Sequence, residues 1–268
     1  MISIIILTLN EQQDLPGCLD SLEWADDIHV VDSGSTDKTL DIANDMNAKT
    51  YYNKFTGFGD QRNWSLRNCD LKYDWILFLD ADERSTPAFK NSLIANIHSA
   101  SSRTIGFYLC SKTILNGTWL KYSDNFPKWQ FRLLQREKGS FINAGHGQKE
   151  SGDVKFIKYI NEPYIHLAFS KGWKYWHEKH KQYAIKDAKQ ATECKVPFAA
   201  MFSTSSSQRN LAIKYFARKI PGWPYIRFLI VYLFQRGFMD GKYGFFYCKK
   251  MLWYEKEIQK CLKLSTIK

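Results

Sequence analysis

The stretch Trp75-Ile76-Leu77-Phe78-Leu79-Asp80-Ala81-Asp82 decides how the chain folds and where its chemistry lies. Its five consecutive apolar residues predict a strand buried on both faces, as in a parallel sheet. Two carboxylates, separated by one residue, follow this strand directly. Because open α/β sheets bind ligands beyond the carboxyl ends of their strands, the order of residues predicts a site at 80–82.

The first 100 residues show the same alternation of apolar runs and helical patterns. Strands are expected at residues 2–7, 28–31, 49–52 and 75–79, and helices at about 11–22, 38–47, 61–68 and 87–99. Short connections between them indicate an α/β domain with a mainly parallel sheet and right-handed crossovers. A further strand is expected at 106–113, and loops with short strands at 119–150.

The second part of the chain is expected to be mostly helical. Helical patterns cover residues 170–194, 207–219, 224–237 and the segment from 243 onward. We therefore predict an α/β domain over 1–165 and a basic, aromatic-rich helical extension over 166–268. Its longest apolar stretch, 228–234, has seven residues, whereas spanning a bilayer needs roughly 20. The N-terminal residues resemble a strand more than a signal peptide, so we expect a cytoplasmic protein with reduced cysteines.

Charge is divided unevenly along the chain. Residues 1–150 contain 16 basic and 19 acidic residues, whereas 151–268 contain 22 basic and 8 acidic ones. The last 60 residues hold 13 basic and 3 acidic residues among many aromatic ones. This composition favours an anionic partner, for which a membrane surface, nucleic acid and a phosphorylated substrate are alternatives. A solvated basic surface or an internal helical cap would explain it without a partner.

Polar residues follow three of the predicted strands. Thr8, Asn10 and Glu11 follow the first, Asp32 begins a polar loop after the second, and Asp80 with Asp82 follows the fourth. An isolated pair of acidic residues is commonly only a strand-end turn, but three such clusters at one sheet edge predict a binding crevice. The two carboxylates suit Mg²⁺ or Mn²⁺ together with a substrate diphosphate.

Two common classes of nucleotide-binding protein are disfavoured by missing motifs. The first turn lacks the GxGxxG sequence of dinucleotide-binding oxidoreductases, and no GxxxxGK[ST] loop is present anywhere in the chain. We therefore expect the nucleotide to be held by side chains and a metal ion.

Four segments in this order and spacing resemble the family 2 glycosyltransferases. They are Leu7-Thr8-Leu9-Asn10-Glu11, Val31-Asp32-Ser33-Gly34-Ser35-Thr36-Asp37, Phe58-Gly59-Asp60-Gln61-Arg62-Asn63 and Leu77-Phe78-Leu79-Asp80-Ala81-Asp82-Glu83. Within that family the chain is similar to the branch of lipopolysaccharide-core glucosyltransferases that act on heptose. The segments 132–136 and 237–241 also resemble that branch, although the likeness is looser after residue 90.

The resemblance implies a nucleotide-diphospho-sugar transferase (GT-A-like) fold and an inverting, metal-dependent reaction on a nucleotide sugar, with a UDP-sugar favoured. It implies donor-binding roles for Thr8, Asn10, Glu11, Asp32, Gln61, Arg62 and Asp80. Asp82, with Asp80, would hold the Mg²⁺ or Mn²⁺ at the diphosphate.

The acceptor side departs from the family pattern. Related enzymes often carry a His-Glu pair, but in Ala144-Gly145-His146-Gly147 a glycine stands where the glutamate is expected. Glu150 is our first candidate for the catalytic base and Asp124 the second. Candidate contacts to the acceptor or diphosphate are Arg132, Arg136, His146, Trp119, Tyr122 and Trp129. We assign His166, His177 and His180 to structural or surface positions.

Our hypothesis is an inverting hexosyltransferase, with glucose the favoured sugar, acting on a lipopolysaccharide core or another bacterial surface glycan or glycolipid. We expect it at the inner face of the cytoplasmic membrane, bound to an anionic surface, with no nucleic-acid partner. The alternative is a catalytically silent, membrane-associated protein that binds nucleotide sugars or acts as a scaffold; loss of the metal carboxylates would mark it, and both are present.

Overall fold

A computed structural model describes residues 1–144, 147–193, 196–203 and 206–266. The chain forms two compact units, the first made of residues 1–119 and 126–171 and the second of 120–125 and 172–268. The sequence-based boundary between 165 and 166 stays a prediction.

The first unit contains a central sheet, a small hairpin and four helices among its described residues. The strands are β1 Ser3–Thr8, β2 Ile28–Asp32, β3 Lys49–Tyr52, β4 Trp75–Asp80, β5 Glu83–Arg84, β6 Gly106–Leu115, β7 Thr118–Trp119, β8 Gln130–Gln135, β9 Ser140–Ala144, β10 Gly147–Ser151 and β11 Ile157–His166. The helices are α1 Leu15–Asp20, α2 Thr39–Asp45, α3 Phe58–Asn68 and α4 Pro87–His98.

The strand order of the sheet is β3-β2-β1-β4-β8-β6-β11-β5, and β7 pairs with β6. The half formed by β3, β2, β1 and β4 is entirely parallel, as the sequence predicts. Beyond β4 the sheet is mixed, because β8 runs antiparallel to both β4 and β6 while β11 runs parallel to β6. The parallel half therefore brings the ends of β1, β2 and β4 to one edge.

The apolar run of β4 is buried on both faces, as expected. Leu77 and Leu79 lie in a core with side chains of α1, α2 and α4, whereas Ile76 and Phe78 lie in a second core with α3 and β9. Alternate residues of a strand point to opposite faces, so helices must cover both sides of this sheet.

In the first unit, two helices begin three or more residues away from the predicted start, and in the second unit the helix predicted at 224–237 ends at Leu229. Helix α1 is shorter than 11–22 because Pro16 occupies its first turn and residues 11–14 form a separate turn. Helix α3 begins at Phe58, three residues before the predicted start. Gly59 in its first turn lets β9 approach closely, since a Cβ there would lie 2.8 Å from the carbonyl carbon of Ile142.

The second unit is helical, which confirms the predicted helical extension. Its elements are α5 Gly172–Glu193, a 3-10 turn Phe198–Phe202, α6 Ser206–Ala217, α7 Trp223–Leu229, a π-helical turn Ile230–Phe234, a 3-10 turn Gly237–Asp240 and α8 Gly241–Thr266. Buried side chains of α5 and α8, among them Trp176, Ala184, Tyr254 and Ile258, form its interior. Among the described residues, no helix combines the length and the apolar character needed to cross a bilayer.

Asp240 fixes the short segment 120–125 within the second unit. Its carboxylate accepts hydrogen bonds from the backbone N–H groups of Tyr122 (3.0 Å) and Ser123 (2.7 Å) and from the Ser123 hydroxyl (2.6 Å). The adjoining corner is tightly packed, since a Cβ on Gly244 would lie 2.3 Å from the carbonyl oxygen of Gly237. The buried carboxylate thus satisfies donors that the segment could not pair by itself.

We predict that Asp240→Ala lowers the free energy of unfolding by about 3 kcal/mol, because it leaves several buried donors without an acceptor. Ser123→Ala, which removes only one of these donors, should cost about 1 kcal/mol. Urea unfolding followed by circular dichroism would measure both values. Equal, small losses in the two variants would show that Asp240 does not anchor the segment.

Candidate active site

The predicted crevice lies at the carboxyl ends of β1, β2 and β4. In the sheet register Thr8 pairs with Asp32, and Leu7 pairs with Asp80. Parallel pairing therefore brings the three polar clusters of the sequence to one edge of the first unit.

Asp32 organises the loop after β2. One carboxylate oxygen accepts from the Thr8 hydroxyl (2.9 Å), and the other accepts from the backbone N–H groups of Gly34 (2.8 Å) and Ser35 (2.7 Å). Gly34 has a φ of 106°, a conformation that glycine adopts without strain. The Asp32 side chain is buried, so its first effect is to shape the loop that faces the crevice.

Asn10 and Glu11 connect this loop to Lys171, the last residue of the first unit. The Asn10 side-chain oxygen accepts from the N–H of Thr36 (2.9 Å). The Lys171 ammonium lies 2.7 Å from the Glu11 carboxylate and donates to the Asn10 carbonyl, also at 2.7 Å. A residue 160 positions later thus sets the position of Glu11.

Helix α3 places Gln61 and Arg62 in the interior. The Gln61 side chain bonds the side chain and the carbonyl of Asn53, at 2.7 and 3.0 Å. The Arg62 guanidinium lies over the rings of Phe78 (5.4 Å) and Phe141 (5.6 Å), so aromatic faces stabilise a cation that is almost fully buried.

Four charged side chains form a closed network at the end of β4. Arg132 of β8 binds both carboxylate oxygens of Asp80, at 3.0 and 2.7 Å, and lies 3.1 Å from Glu83. Arg62 approaches Asp80 from the other side at 3.3 Å, and Glu83 accepts the Asp80 backbone N–H at 2.9 Å. Arg132 was predicted as a contact to the acceptor or diphosphate; in the structure it clamps a carboxylate of the predicted site.

Burial and charge act in opposite directions on the two carboxylates of this network. Burial disfavours ionisation of Asp80, but the guanidinium of Arg132, followed by that of Arg62, outweighs it and holds the pKa of Asp80 well below its usual range. Burial dominates at Glu83 and raises its pKa despite the contact with Arg132. Asp80 is therefore the firmly ionised partner of the arginines.

Asp82 lies beside a histidine that the sequence reasoning assigned to a structural role. The His166 imidazole at the end of β11 lies 3.5 Å from the Asp82 carboxylate, and both side chains are about one quarter exposed. Burial opposes protonation of His166, but the Asp82 carboxylate outweighs this effect. The pKa of His166 is therefore raised. The two side chains offer an oxygen and a nitrogen to a ligand. Among the described residues, no three His, Cys, Asp or Glu side chains are grouped as a metal site.

The β9–β10 hairpin carries Glu150 and is attached to α3. Asn143 of β9 accepts the backbone N–H of Gly59 (2.8 Å) and donates to the Asp60 carboxylate (2.8 Å). Glu150 is partly exposed and accepts a hydrogen bond from the Tyr108 hydroxyl, whose pKa is raised by burial and by this carboxylate. The first candidate base thus belongs to the same unit as the donor-side residues.

The remaining acceptor-side predictions do not all belong to the first unit. Asp124 is buried in the second unit and accepts a hydrogen bond from the Tyr247 hydroxyl. Tyr122 belongs to the same short segment, whereas Trp119 ends the first stretch of the first unit. His146 lies outside the described residues.

Arg136 is not brought to the carboxylates. Its backbone N–H donates to the carbonyl of Asp74 and its Nε to the carbonyl of Leu66, at 2.8 and 2.9 Å. It therefore lies at the start of β4, at the opposite end of the strand from Asp80.

The chain matches the model of a family described as "Glycosyl transferase family 2" over residues 3–148. Together with the strand order, this match confirms the GT-A-like α/β fold class. Over 145 residues the chain is 29% identical to "Lipopolysaccharide core biosynthesis glycosyltransferase LpsC" of Rhizobium meliloti (strain 1021), covering 52% of this chain and 53% of that protein. Over 94 residues it is 42% identical to "PGL/p-HBAD biosynthesis glycosyltransferase" of Mycobacterium tuberculosis (strain ATCC 25177 / H37Ra), covering 31% and 36%. The chain thus spans about half, or less, of the length of these curated relatives.

Among solved structures, glucosyl-3-phosphoglycerate synthase from Mycobacterium tuberculosis, in complex with Mn²⁺, uridine-diphosphate and glucosyl-3-phosphoglycerate, has a TM-score of 0.48. The sequences are 17% identical, and the alignment covers 74% of this chain and 81% of that one.

We predict that Arg132→Ala lowers the free energy of unfolding by about 3–5 kcal/mol, because Asp80 and Glu83 lose the charge that compensates their burial. Arg136→Ala is the matched control and should cost about 1 kcal/mol, the value of a single partly exposed hydrogen bond. Chemical denaturation of both variants would test this. Similar costs at the two positions would contradict a structural role for the network.

Proposed function

We propose that this chain, which belongs to glycosyl transferase family 2, transfers a hexose, with glucose the first candidate, from a nucleotide-diphosphate sugar to a hydroxyl group. The acceptor that we propose is a lipopolysaccharide core or another bacterial surface glycan or glycolipid. One observation carries the proposal: Asp80 ends β4 and Asp82 follows it in the family-matched region, beside the strand ends that carry Thr8 and Asp32. The similarity to a lipopolysaccharide-core glycosyltransferase supports the acceptor class.

The nucleoside end of the donor would lie against the loops after β1 and β2. Asp32 and Asn10 hold these loops in shape, and Glu11 is the partly exposed carboxylate that they present. Carboxylates recognise hydroxyl and amide N–H donors, so Glu11 suits a base or ribose. Asp80, about one third exposed and oriented by Arg132, suits a ribose hydroxyl at the neighbouring strand end.

A divalent cation fits the residues at the diphosphate end. Asp82 offers one carboxylate, and the neighbouring His166 would offer an imidazole nitrogen after losing its proton to make room for the cation. Mg²⁺ or Mn²⁺ needs only one or two protein ligands in addition to substrate phosphates. The Asp80 carboxylate is engaged by two guanidinium groups, so we assign the ligand role first to Asp82. When bound, the cation would neutralise charge on the departing nucleoside diphosphate.

Inversion of the anomeric carbon by a single displacement requires a base that takes the proton from the acceptor hydroxyl. The acceptor oxygen forms a bond to the anomeric carbon while the bond to the diphosphate oxygen breaks, and the diphosphate leaves with the electron pair. The proton of the acceptor hydroxyl passes to a carboxylate on the acceptor side. We propose Glu150 for this role, because it is partly exposed and the Tyr108 hydroxyl orients it. Asp124 is the second candidate, buried beside Tyr247.

We also propose that the protein works at the inner face of the cytoplasmic membrane. The support is the excess of 22 basic over 8 acidic residues in 151–268, which would attract anionic lipids. A glycolipid acceptor would be presented at such a surface.

The donor claim predicts protection against thermal unfolding. A panel of UDP- and GDP-sugars, each with Mg²⁺ or Mn²⁺, should contain at least one that raises Tm, by about 2–4 °C per kcal/mol of binding energy. Asp82→Asn should abolish turnover and the metal-dependent part of this shift with little loss of fold. The matched control is Asp70→Asn, whose side chain is 91% exposed and should behave as wild type.

Each outcome of that experiment has a defined meaning. No shift with any nucleotide sugar in the wild type would overturn the proposed function. A shift without turnover on any acceptor would favour the silent binding protein. Activity retained in Asp82→Asn would remove Asp82 as the metal ligand.

The base assignment predicts that Glu150→Gln lowers kcat by about 10²–10⁴-fold while donor protection stays unchanged, because only proton transfer is lost. Asp124→Asn should affect stability more than turnover per folded molecule, since that carboxylate is buried. Steady-state kinetics and the donor Tm shift, measured on both variants, would decide between them. The reverse pattern would transfer the role to Asp124.

A further inference from the structure

We propose that residues 222–250 form a membrane-binding surface, whose large exposed side chains enter the headgroup region of an anionic bilayer. This proposal rests on the proposed function, because a lipid-linked acceptor would be located at a membrane. It goes further by naming the residues that bind and the way they bind. We call this segment the membrane surface.

The membrane surface exposes an unusual number of large apolar side chains. They are Tyr225, Ile226, Leu229, Leu233, Phe234, Phe238, Met239, Phe245 and Phe246, of which Phe234 is 80% exposed and all the others are more than 40% exposed. Tyr225, Leu229 and Leu233 follow at intervals of four and share one helical face. Clustered exposed apolar residues of this kind indicate an interaction site, whereas scattered single ones do not.

Ring contacts join several segments of the membrane surface within the second unit. Tyr232 stacks on Phe228 with centroids 5.5 Å apart. The same ring meets Phe245 of α8 at 5.6 Å and Phe238 of the 3-10 turn at 6.3 Å. Helix α7, its π-helical turn, the 3-10 turn and the start of α8 therefore share one aromatic cluster.

The backbone holds this patch in a tight corner. Arg236 and Gly241 adopt positive φ values of 62° and 63° on either side of the 3-10 turn. Inside the corner, Gly237 and Gly244 leave no space for a Cβ, and Asp240 ties the turn to residues 122–123. The backbone around the 3-10 turn is thus tightly packed, and Phe234 and Phe238 beside it are exposed to solvent.

Charge identifies the partner. Residues 222–250 contain five basic residues and one acidic residue, Asp240, whose buried carboxylate is used inside the fold. Arg236, Lys242 and Lys249 are exposed among the apolar side chains. Apolar side chains flanked by Lys and Arg suit the headgroup and acyl boundary of an anionic bilayer.

Two other occupants fit the patch less well. A second copy, meeting it about a twofold axis, would bring two surfaces together that each carry five basic residues and one buried acidic residue, and like charges oppose such pairing. A nucleic acid would satisfy the basic residues but offers little to aliphatic side chains such as Leu229, Leu233 and Met239. The short helical pieces are suited to lying on a bilayer rather than crossing it.

Vesicle flotation of the full chain tests the proposal. We expect binding to vesicles of phosphatidylethanolamine with phosphatidylglycerol, and weak binding to phosphatidylcholine vesicles. Phe234→Ser with Phe238→Ser should lower the partition coefficient by about tenfold or more, since two inserted rings are lost. Arg236→Gln with Lys242→Gln should lower it by about fivefold per charge, and added salt should remove this difference.

The matched control is Phe198→Ser with Phe202→Ser, a pair in the same unit that is 63% and 76% exposed but lies outside the membrane surface. It should float as the wild type does. Equal losses in the two Phe pairs, unchanged binding in the Phe234 and Phe238 pair, or equal binding to uncharged vesicles would overturn the proposal. A wild-type dimer that this pair dissociates in analytical ultracentrifugation would instead assign the patch to a second copy.

Donor protection, measured on the same preparations, separates this inference from the proposed function. The Phe234 and Phe238 pair should keep the full nucleotide-sugar Tm shift while losing vesicle binding. If the wild type shows no donor shift but floats with anionic vesicles, the proposed function fails and the membrane surface stands. If the donor shift is present and flotation is absent, only the membrane surface fails.

Discussion

The contact between Arg132 and Asp80 is the interaction on which the rest of the site depends. A two-pronged guanidinium–carboxylate contact fixes orientation as well as distance, which a single hydrogen bond does not. It joins the end of β4 to the antiparallel strand β8, at the point where the sheet changes from parallel to mixed. Glu83 and Arg62 complete the charge balance, so the network ties β5 and α3 to the same point.

This network explains why the acidic segment keeps its shape. Ionised carboxylates close to each other repel, and a strand end with three of them within four residues would splay without cations beside it. The two arginines lie against Asp80 and Glu83, whereas Asp82 lies beside His166. The sequence spacing DxD therefore encodes two different environments, one carboxylate held by two guanidinium groups and one beside an imidazole.

The parallel half of the sheet and its polar edge could be predicted from the sequence, because each depends on local patterns. A run of apolar residues followed by Asp80 and Asp82 needs no distant partner to be recognised. Arg132, His166 and Lys171 could not be assigned in the same way, since each meets its partner only after the chain has crossed the sheet. Glu83 was visible beside the motif, and His166 could have been suspected as a polar residue at a strand end.

The strands of 119–150 and the corner at 237–244 were harder to predict for a different reason. Strands β9 and β10 carry few buried residues, and their hairpin is held by polar bonds from Asn63 and Asn143 that leave no apolar pattern. Asp240 lies in a segment whose likeness to relatives was noted, but its role depends on donors nearly 120 positions earlier.

Charge balance gives a physical reason for a metal ion at this site. The cations of Arg62 and Arg132 are directed at Asp80 and Glu83, and that of Lys171 is directed at Glu11, so each of these three cations already has a carboxylate partner inside the fold. Asp82 adds a negative charge that His166 can at most offset. A donor diphosphate would therefore gain little from these engaged cations and would be repelled by the Asp82 carboxylate. A divalent cation held at Asp82 reverses that sign, which supports the proposal of a metal-dependent donor site over one that grips the diphosphate with arginines alone.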